Sequence, residues 1–153
     1  LDQRLRDEYD RAIRYDRPLT VAIADLDHFK LVNDRWTHAT GDAVLKAIAN
    51  LLVGEVRHTD LVARYGGEEF VLVLLETGPE TAGAVCEKVR AAVESHDWSG
   101  IAPGLSITVS IGWCADTSLP GPDAMLGAAD AAMYRAKAAG RNRVAGGRQG
   151  ALP

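Results

Sequence analysis

Two runs of strand-forming residues, Leu61-Val62-Ala63 and Phe70-Val71-Leu72-Val73-Leu74-Leu75, flank the segment Arg64-Tyr65-Gly66-Gly67-Glu68-Glu69. Apolar runs around a Gly-Gly turn predict a β-hairpin, and so an antiparallel strand pair in the middle of the chain. The tip sets adjacent carboxylates, Glu68 and Glu69, beside a backbone without side chains, where a bulky anion can come close. Carboxylates alone repel a phosphate. With Mg²⁺ between them they hold it.

The rest of the chain alternates helices and strands around that hairpin. Leu5, Tyr9, Ala12 and Ile13 share one helical face, which predicts a helix to about residue 15, ended by Asp16-Arg17-Pro18. Leu19 to Asp25 reads as a strand, residues 27–36 as a short helix, and Leu45, Ile48, Ala49 and Leu52 as a helix begun near Thr40-Gly41-Asp42. Gly78-Pro79-Glu80 opens a further helix, with Val85, Val89, Ala92 and Val93 as its buried stripe. Ile107, Val109 and Ile111 alternate with Thr108, Ser110 and Gly112, so residues 105–115 read as a strand. Gly121-Pro122-Asp123 starts the last long helix, with Met125, Ala129, Ala132 and Met133 inward and Gly140 at its end. Arg143-Val144-Ala145 reads as a short edge strand. The order predicts an α+β fold: a central, mainly antiparallel, five-stranded sheet surrounded by helices. Residues 1–145 form one domain in this reading, and the Gly-rich residues 146–153 a flexible tail.

Composition narrows the class. At 153 residues the chain can bury a core without staples. Cys86 and Cys114 lie far apart in apolar surroundings with no CxxC, which predicts buried free thiols and a reducing, cytoplasmic compartment. The longest apolar run, Phe70 to Leu75, is too short to span a bilayer. A net charge of −4 gives no support for nucleic-acid binding, while a few placed cations suffice for one nucleotide. Leu1 is not a natural start, so the expectation is a piece of a longer protein, with any sensor or membrane anchor upstream.

Four blocks in order resemble one family. Arg64-Tyr65-Gly66-Gly67-Glu68-Glu69-Phe70 is similar to the signature of the GGDEF family, the diguanylate cyclases, in its Gly-Gly-Glu-Glu-Phe variant. Asp25-Leu26-Asp27-His28-Phe29-Lys30-Leu31-Val32-Asn33-Asp34 resembles the family's first signature, Gly41-Asp42 its second, and residues 129–142 its closing helix. One motif would be weak; four at family-like spacing are specific. The resemblance implies a palm-like nucleotide cyclase fold. It implies that two GTP condense to cyclic di-GMP, releasing two pyrophosphates. Mg²⁺, or Mn²⁺ as a substitute, serves as cofactor, and a homodimer supplies one GTP per subunit.

The resemblance also assigns roles. Asp25, the carbonyl of Leu26, Glu68 and, less centrally, Glu69 become metal ligands. Glu68 is also the family's proposed base, although a metal role ranks first. His28, Phe29 and Lys30 face the β- and γ-phosphates at a helix start, where free N–H groups favour anions. Gly66 and Gly67 give the backbone approach. Lys137 and Arg141 become triphosphate contacts, although cations at a helix end are ordinary dipole partners. Asn33 and Asp42 match the guanine-reading pair, with His38 on the substrate side. Arg57 and Asp60 match an inhibitory Arg-x-x-Asp site for cyclic di-GMP, with Lys88 as helper; such a pair is otherwise a common surface ion pair. Asp27 reads as a helix cap or structural acid. Thr37 stands where the family usually has Gly, and the family's upstream Leu-Thr-Gly-Leu…Asn-Arg segment is absent. The rival readings are a non-catalytic cyclic di-GMP receptor using Arg57 and Asp60, and a GTP-binding regulatory module.

Overall fold

The computed structural model describes residues 1–146. The order of elements is α1 (Asp2–Tyr15), β1 (Leu19–Leu26), α2 (Phe29–Arg35), α3 (His38–Glu55), β2 (Leu61–Arg64), β3 (Glu69–Leu75), α4 (Pro79–Ser95), β4 (Val109–Cys114), α5 (Pro122–Ala138) and β5 (Val144–Gly146). Five strands form one sheet in the order β2-β3-β1-β4-β5. Every neighbouring pair is antiparallel except β4 and β5, which run parallel. The predicted α+β sandwich is therefore the observed one.

β1 is central and buried on both faces along its whole length. Ala22, Ala24 and Leu26 face a core built with α2, α3 and α4; Leu19, Val21 and Ile23 face a second core built with α1 and α5. The period of two thus sorts each residue of β1 to one layer. It also places Asp25 on the α5 side, at the end of a strand with no exposed residue.

Several expectations shift. Ile13 is 51% exposed, since Leu5 and Ala12 suffice to seat α1. β4 begins at Val109 rather than residue 105, because β1 ends at Leu26, the partner of Val109. Before that point only the Asp27 N–H to Thr108 carbonyl bond continues the pairing. α3 begins at His38, one turn before Asp42, because the Thr37 hydroxyl accepts from the Thr40 N–H and caps it. α2 covers Phe29 to Arg35, and Asp27 lies outside it. A single 3-10 turn over Trp98–Gly100 went unforeseen; its Trp98 is buried and donates Nε1–H to the Val93 carbonyl. Gly146, read as tail, is the last residue of β5, and residues 147–153 lie outside the described part. Both cysteines are free and buried. Among the described residues no helix is long and apolar enough to cross a membrane.

Candidate functional site

The hairpin brings its acids to the end of β1. Asp25 pairs directly with Glu69 across the β1–β3 register, and the Leu26 N–H donates to the Glu68 carbonyl at 3.2 Å. Facing residues on one side of an antiparallel pair stand side by side, and like charges there repel. The turn is held by its own backbone: the N–H groups of Tyr65 and Gly66 both donate to the Glu69 carbonyl. Arg64 then donates to the carbonyls of Gly66 and Gly67 from the outside, at 3.3 and 2.7 Å. The sequence reading gave Arg64 no role; its place one residue before the turn was the available signal. No protein atom lies within 4 Å of where a Cβ on Gly67 would stand. The fold itself therefore does not require glycine there, and the missing side chain leaves the tip open.

Asp25 is buried, and its Oδ1 has no hydrogen-bond partner. The Lys137 Nζ lies 3.3 Å from that oxygen, a charge contact without hydrogen-bond alignment. The acids beside it feel the crowding. Burial and the charge of Asp25 raise the Glu68 carboxyl above its usual range, opposed by Lys137. Burial, contact with Asp25 and repulsion from Asp25, Asp130 and Glu68 push Glu69 up to about 7. One lysine does not balance this much negative charge. Asp130, on α5, is an acid of this group that the sequence reading left unassigned.

These features suit a hard cation. An orphaned buried carboxylate oxygen, neighbouring acids with raised pKa values and the nearby Leu26 backbone form an all-oxygen donor set of the kind Mg²⁺ takes. Among the described residues no group of three or more His, Cys, Asp or Glu side chains stands in metal-binding arrangement.

Asp27 is a structural acid, not a cap. Its carboxylate accepts from Thr108 Oγ1 and Ser110 Oγ, both at 2.7 Å, and from the Asn142 N–H at 3.0 Å. Burial alone would raise its pKa, but bonds from Ser110, Thr108 and Asn142, with the charge of Lys137, hold it below the usual value. Lys137 reaches Asp27 at 3.4 Å as well as Asp25, so it sits between two carboxylates.

The remaining candidates fall into separate groups. His28 adopts a left-handed conformation at the start of α2 with no side-chain cap, leaving the first-turn N–H groups without one. Phe29 is buried, and His28, Lys30, His38 and Arg141 are exposed. Asn33 meets the second signature: a Cβ on Gly41 would stand 2.1 Å from Asn33 Oδ1. Glycine at 41 therefore lets the Asn33 amide lie against α3, one residue from Asp42. Asp42 lines an open cleft of about 340 Å³ with Lys46, Val62, Arg64 and Phe70, between α3 and the hairpin.

Arg57 and Asp60 sit at the opposite end of the hairpin. Asp60 is almost fully buried and holds the turn, accepting from the N–H groups of Arg57 and Leu75. The Arg57 guanidinium, 56% exposed, pairs with Asp60 at 3.5 Å and donates to the Leu75 carbonyl and to Thr77 Oγ1. Lys88 extends from α4 to Glu55, at 3.9 Å.

Comparison with known proteins gives the family. The model of the family described as "Diguanylate cyclase, GGDEF domain" matches residues 1–143. The chain belongs to this family. It is 42% identical to the diguanylate cyclase DgcP of Pseudomonas aeruginosa over 144 residues, which is 94% of this chain and 22% of that protein. It is 37% identical to the diguanylate cyclase DosC of Escherichia coli, over 90% of this chain and 30% of that protein. The chain thus spans less than a third of these relatives. Among solved structures, the active GGEEF domain of a diguanylate cyclase from Vibrio cholerae superposes with a TM-score of 0.89 at 32% identity, covering 96% of this chain and 94% of that one. The GGDEF domain of DgcB from Caulobacter crescentus, in complex with c-di-GMP, gives 0.87 at 32% identity, covering 95% and 86%.

Proposed function

We propose that this GGDEF domain is the catalytic unit of a diguanylate cyclase, condensing two GTP to cyclic di-GMP. The observation that carries the reading is the buried Asp25 oxygen that lacks a hydrogen bond, with Lys137 alone to offset a group of carboxylates, in a domain of this family. At each of two steps a ribose 3′-hydroxyl oxygen forms a bond to an α-phosphorus. The bond from that phosphorus to the bridging oxygen breaks, pyrophosphate leaves, and the hydroxyl proton passes to a base or water. Mg²⁺, held by Asp25, Glu68, Glu69 and the Leu26 carbonyl, would neutralise charge on the phosphates. The chain's own residues bind and orient. The start of α2 and Lys30 receive the terminal phosphates, Gly67 leaves room at the tip, and Lys137 and Arg141 add positive charge. The symmetry of the product argues for two domains facing site to site, one GTP in each. Incubation with GTP and Mg²⁺ tests the reading. Cyclic di-GMP should accumulate, and GTP binding without turnover would return the domain to a receptor or regulatory role.

Asn33 and Asp42 are proposed to select guanine. Guanine offers donors at N1 and N2 and an acceptor at O6, which a carboxylate and an amide can match. Adenine leaves these groups mismatched, and an unpaired buried polar group costs about 1–3 kcal/mol. GTP should therefore outcompete ATP by roughly 5- to 150-fold. Asp42→Ala should erase most of that preference, as competition binding would read. Equal affinity of the parent domain for both nucleotides would refute the pocket.

Arg57, Asp60 and Lys88 are proposed to bind cyclic di-GMP as an inhibitor. An Arg fork suits a guanine edge or a phosphate. A strand rises about 3.3 Å per residue, so this site lies roughly 15–20 Å from the tip acids, too far for one GTP to fill both. Arg57→Ala should weaken cyclic di-GMP binding and relieve inhibition while GTP turnover persists. Unchanged affinity by isothermal titration would make Arg57 an ordinary surface charge. Asp60 is a poorer probe, because its carboxylate also ties the ends of the hairpin together.

A further inference from the structure

The turn after α5 has an unusual backbone. Gly140, Arg141 and Asn142 lie in succession at φ 129°, 64° and 48°. Left-handed geometry is free for glycine and tolerated by asparagine, but unfavourable for arginine, so other contacts must hold it. The Arg141 N–H donates to the Ala136 carbonyl of α5 at 3.0 Å, and the next residue, Asn142, is held from α4, which supplies no residue to the proposed GTP site. The Arg90 side chain, only 15% exposed, donates Nη1–H to Asn142 Oδ1 at 2.8 Å. The Asn142 Nδ2 donates to Glu94 Oε2 at 2.8 Å. Glu87 and Glu94 fix the guanidinium in turn, at 2.6 and 2.7 Å. Asn142 is thus gripped through both ends of its amide. Its backbone N–H then points at Asp27, the acid that Lys137 also approaches.

We infer that Arg90 is a positioning residue for the triphosphate cations: by clamping Asn142 it fixes Asp27, and through Asp27 and the turn it fixes Lys137 and Arg141. The inference rests on the reading of Lys137 as a nucleotide contact. Planar, bidentate geometry is what Arg contributes and Lys does not. Arg90 reaches no part of the proposed site directly. Its influence runs through a hydrogen-bonded chain, and only a coupling measurement can apportion such a chain.

The test is a double-mutant cycle read by titration of GTP with Mg²⁺ into the full chain, with thermal midpoints recorded alongside. Arg90→Met should weaken GTP binding about five- to tenfold, an effect the size of a typical coupling between contacting groups. Arg90→Lys should restore only part of the loss. In a Lys137→Met background the Arg90→Met effect should shrink to less than about twofold, because its main target is gone. Arg11→Met removes an ion pair, to Glu8 on α1, that takes no part in this chain, and should leave GTP binding unchanged. Should Arg90→Met fail to fold, Asn142→Gly breaks the same link from the other side and suits the left-handed φ. Equal effects of Arg90→Met with and without Lys137, or none in either, would overturn the inference alone. Unchanged GTP affinity in Lys137→Met itself would overturn the site reading beneath it.

Discussion

Glu68→Gln is expected to lower cyclic di-GMP synthesis by about 10²–10³-fold or more, the range seen when a group that stabilises transition-state charge is removed, while leaving the domain folded. The two effects have opposite signs for one reason. Glu68 shares its surroundings with Asp25, and both burial and that neighbouring charge raise its pKa. The protein alone would thus be slightly better off without the charge. The proposed cation would not, because it needs the full donor set. Each lost factor of ten in rate corresponds to about 1.4 kcal/mol of transition-state stabilisation. Asp25→Asn should behave alike, since it alters the one buried side-chain oxygen that, among the described residues, has no hydrogen-bond partner. Chromatography of the nucleotide products, with a thermal melt of each variant, checks both halves. Synthesis within a few-fold of the parent would remove Glu68 from the metal site.

The fold was legible where periodicity and turn chemistry agree. The hairpin could be read because Gly66 and Gly67 separate two apolar runs, and the observed register, Leu61 with Val73 and Arg64 with Phe70, continues each run in pairs. The inward stripe of α5 was legible for a similar reason: Met125, Ala129, Ala132 and Met133 are all fully buried. Ends were harder. Ile107 alternates like a strand residue and is buried, yet β4 starts later because its partner strand has run out. No local pattern reports the length of a distant neighbour. The site divides in the same way. The pairing of Asp25 with the hairpin acids follows from strand adjacency, whereas the close approach of Asn33 to Gly41 is visible only in the structure. Asp130 and the Arg90–Asn142–Asp27 chain were not legible, because they join helices to strands across large gaps in sequence. Charged residues at such spacing read as ordinary surface. Thr37, a departure from the family pattern, gains a local reason in its capping of α3.

Gly112→Ala is expected to cost about 3 kcal/mol or more, at the upper end of overpacking effects. Gly112 lies in β4 between Ile23 of β1 and Ala145 of β5, and α5 crosses directly over it. A Cβ there would stand 2.0 Å from the Met133 N and 2.3 Å from the Ala129 carbonyl oxygen. Those are backbone atoms of a helix, with no side chain to swing aside. The helix must lift or the strand must bend. For a domain of this size each kcal/mol lowers the melting midpoint by about 2–4 °C, so a fall of roughly 6–12 °C is expected. Activity should also fall where the variant is still folded. Lys137 lies one turn beyond Met133, and its 3.3 Å approach to Asp25 depends on how closely α5 seats on the sheet. Gly54→Ala is the comparison: that exposed helical glycine has no protein atom within 4 Å of a Cβ, so alanine there should be neutral or stabilising by up to about 1 kcal/mol. If Gly112→Ala melted within about 2 °C of the parent, α5 would have slack that these distances deny. The seating of Lys137 over the acids would then need a cause other than the missing side chain at 112.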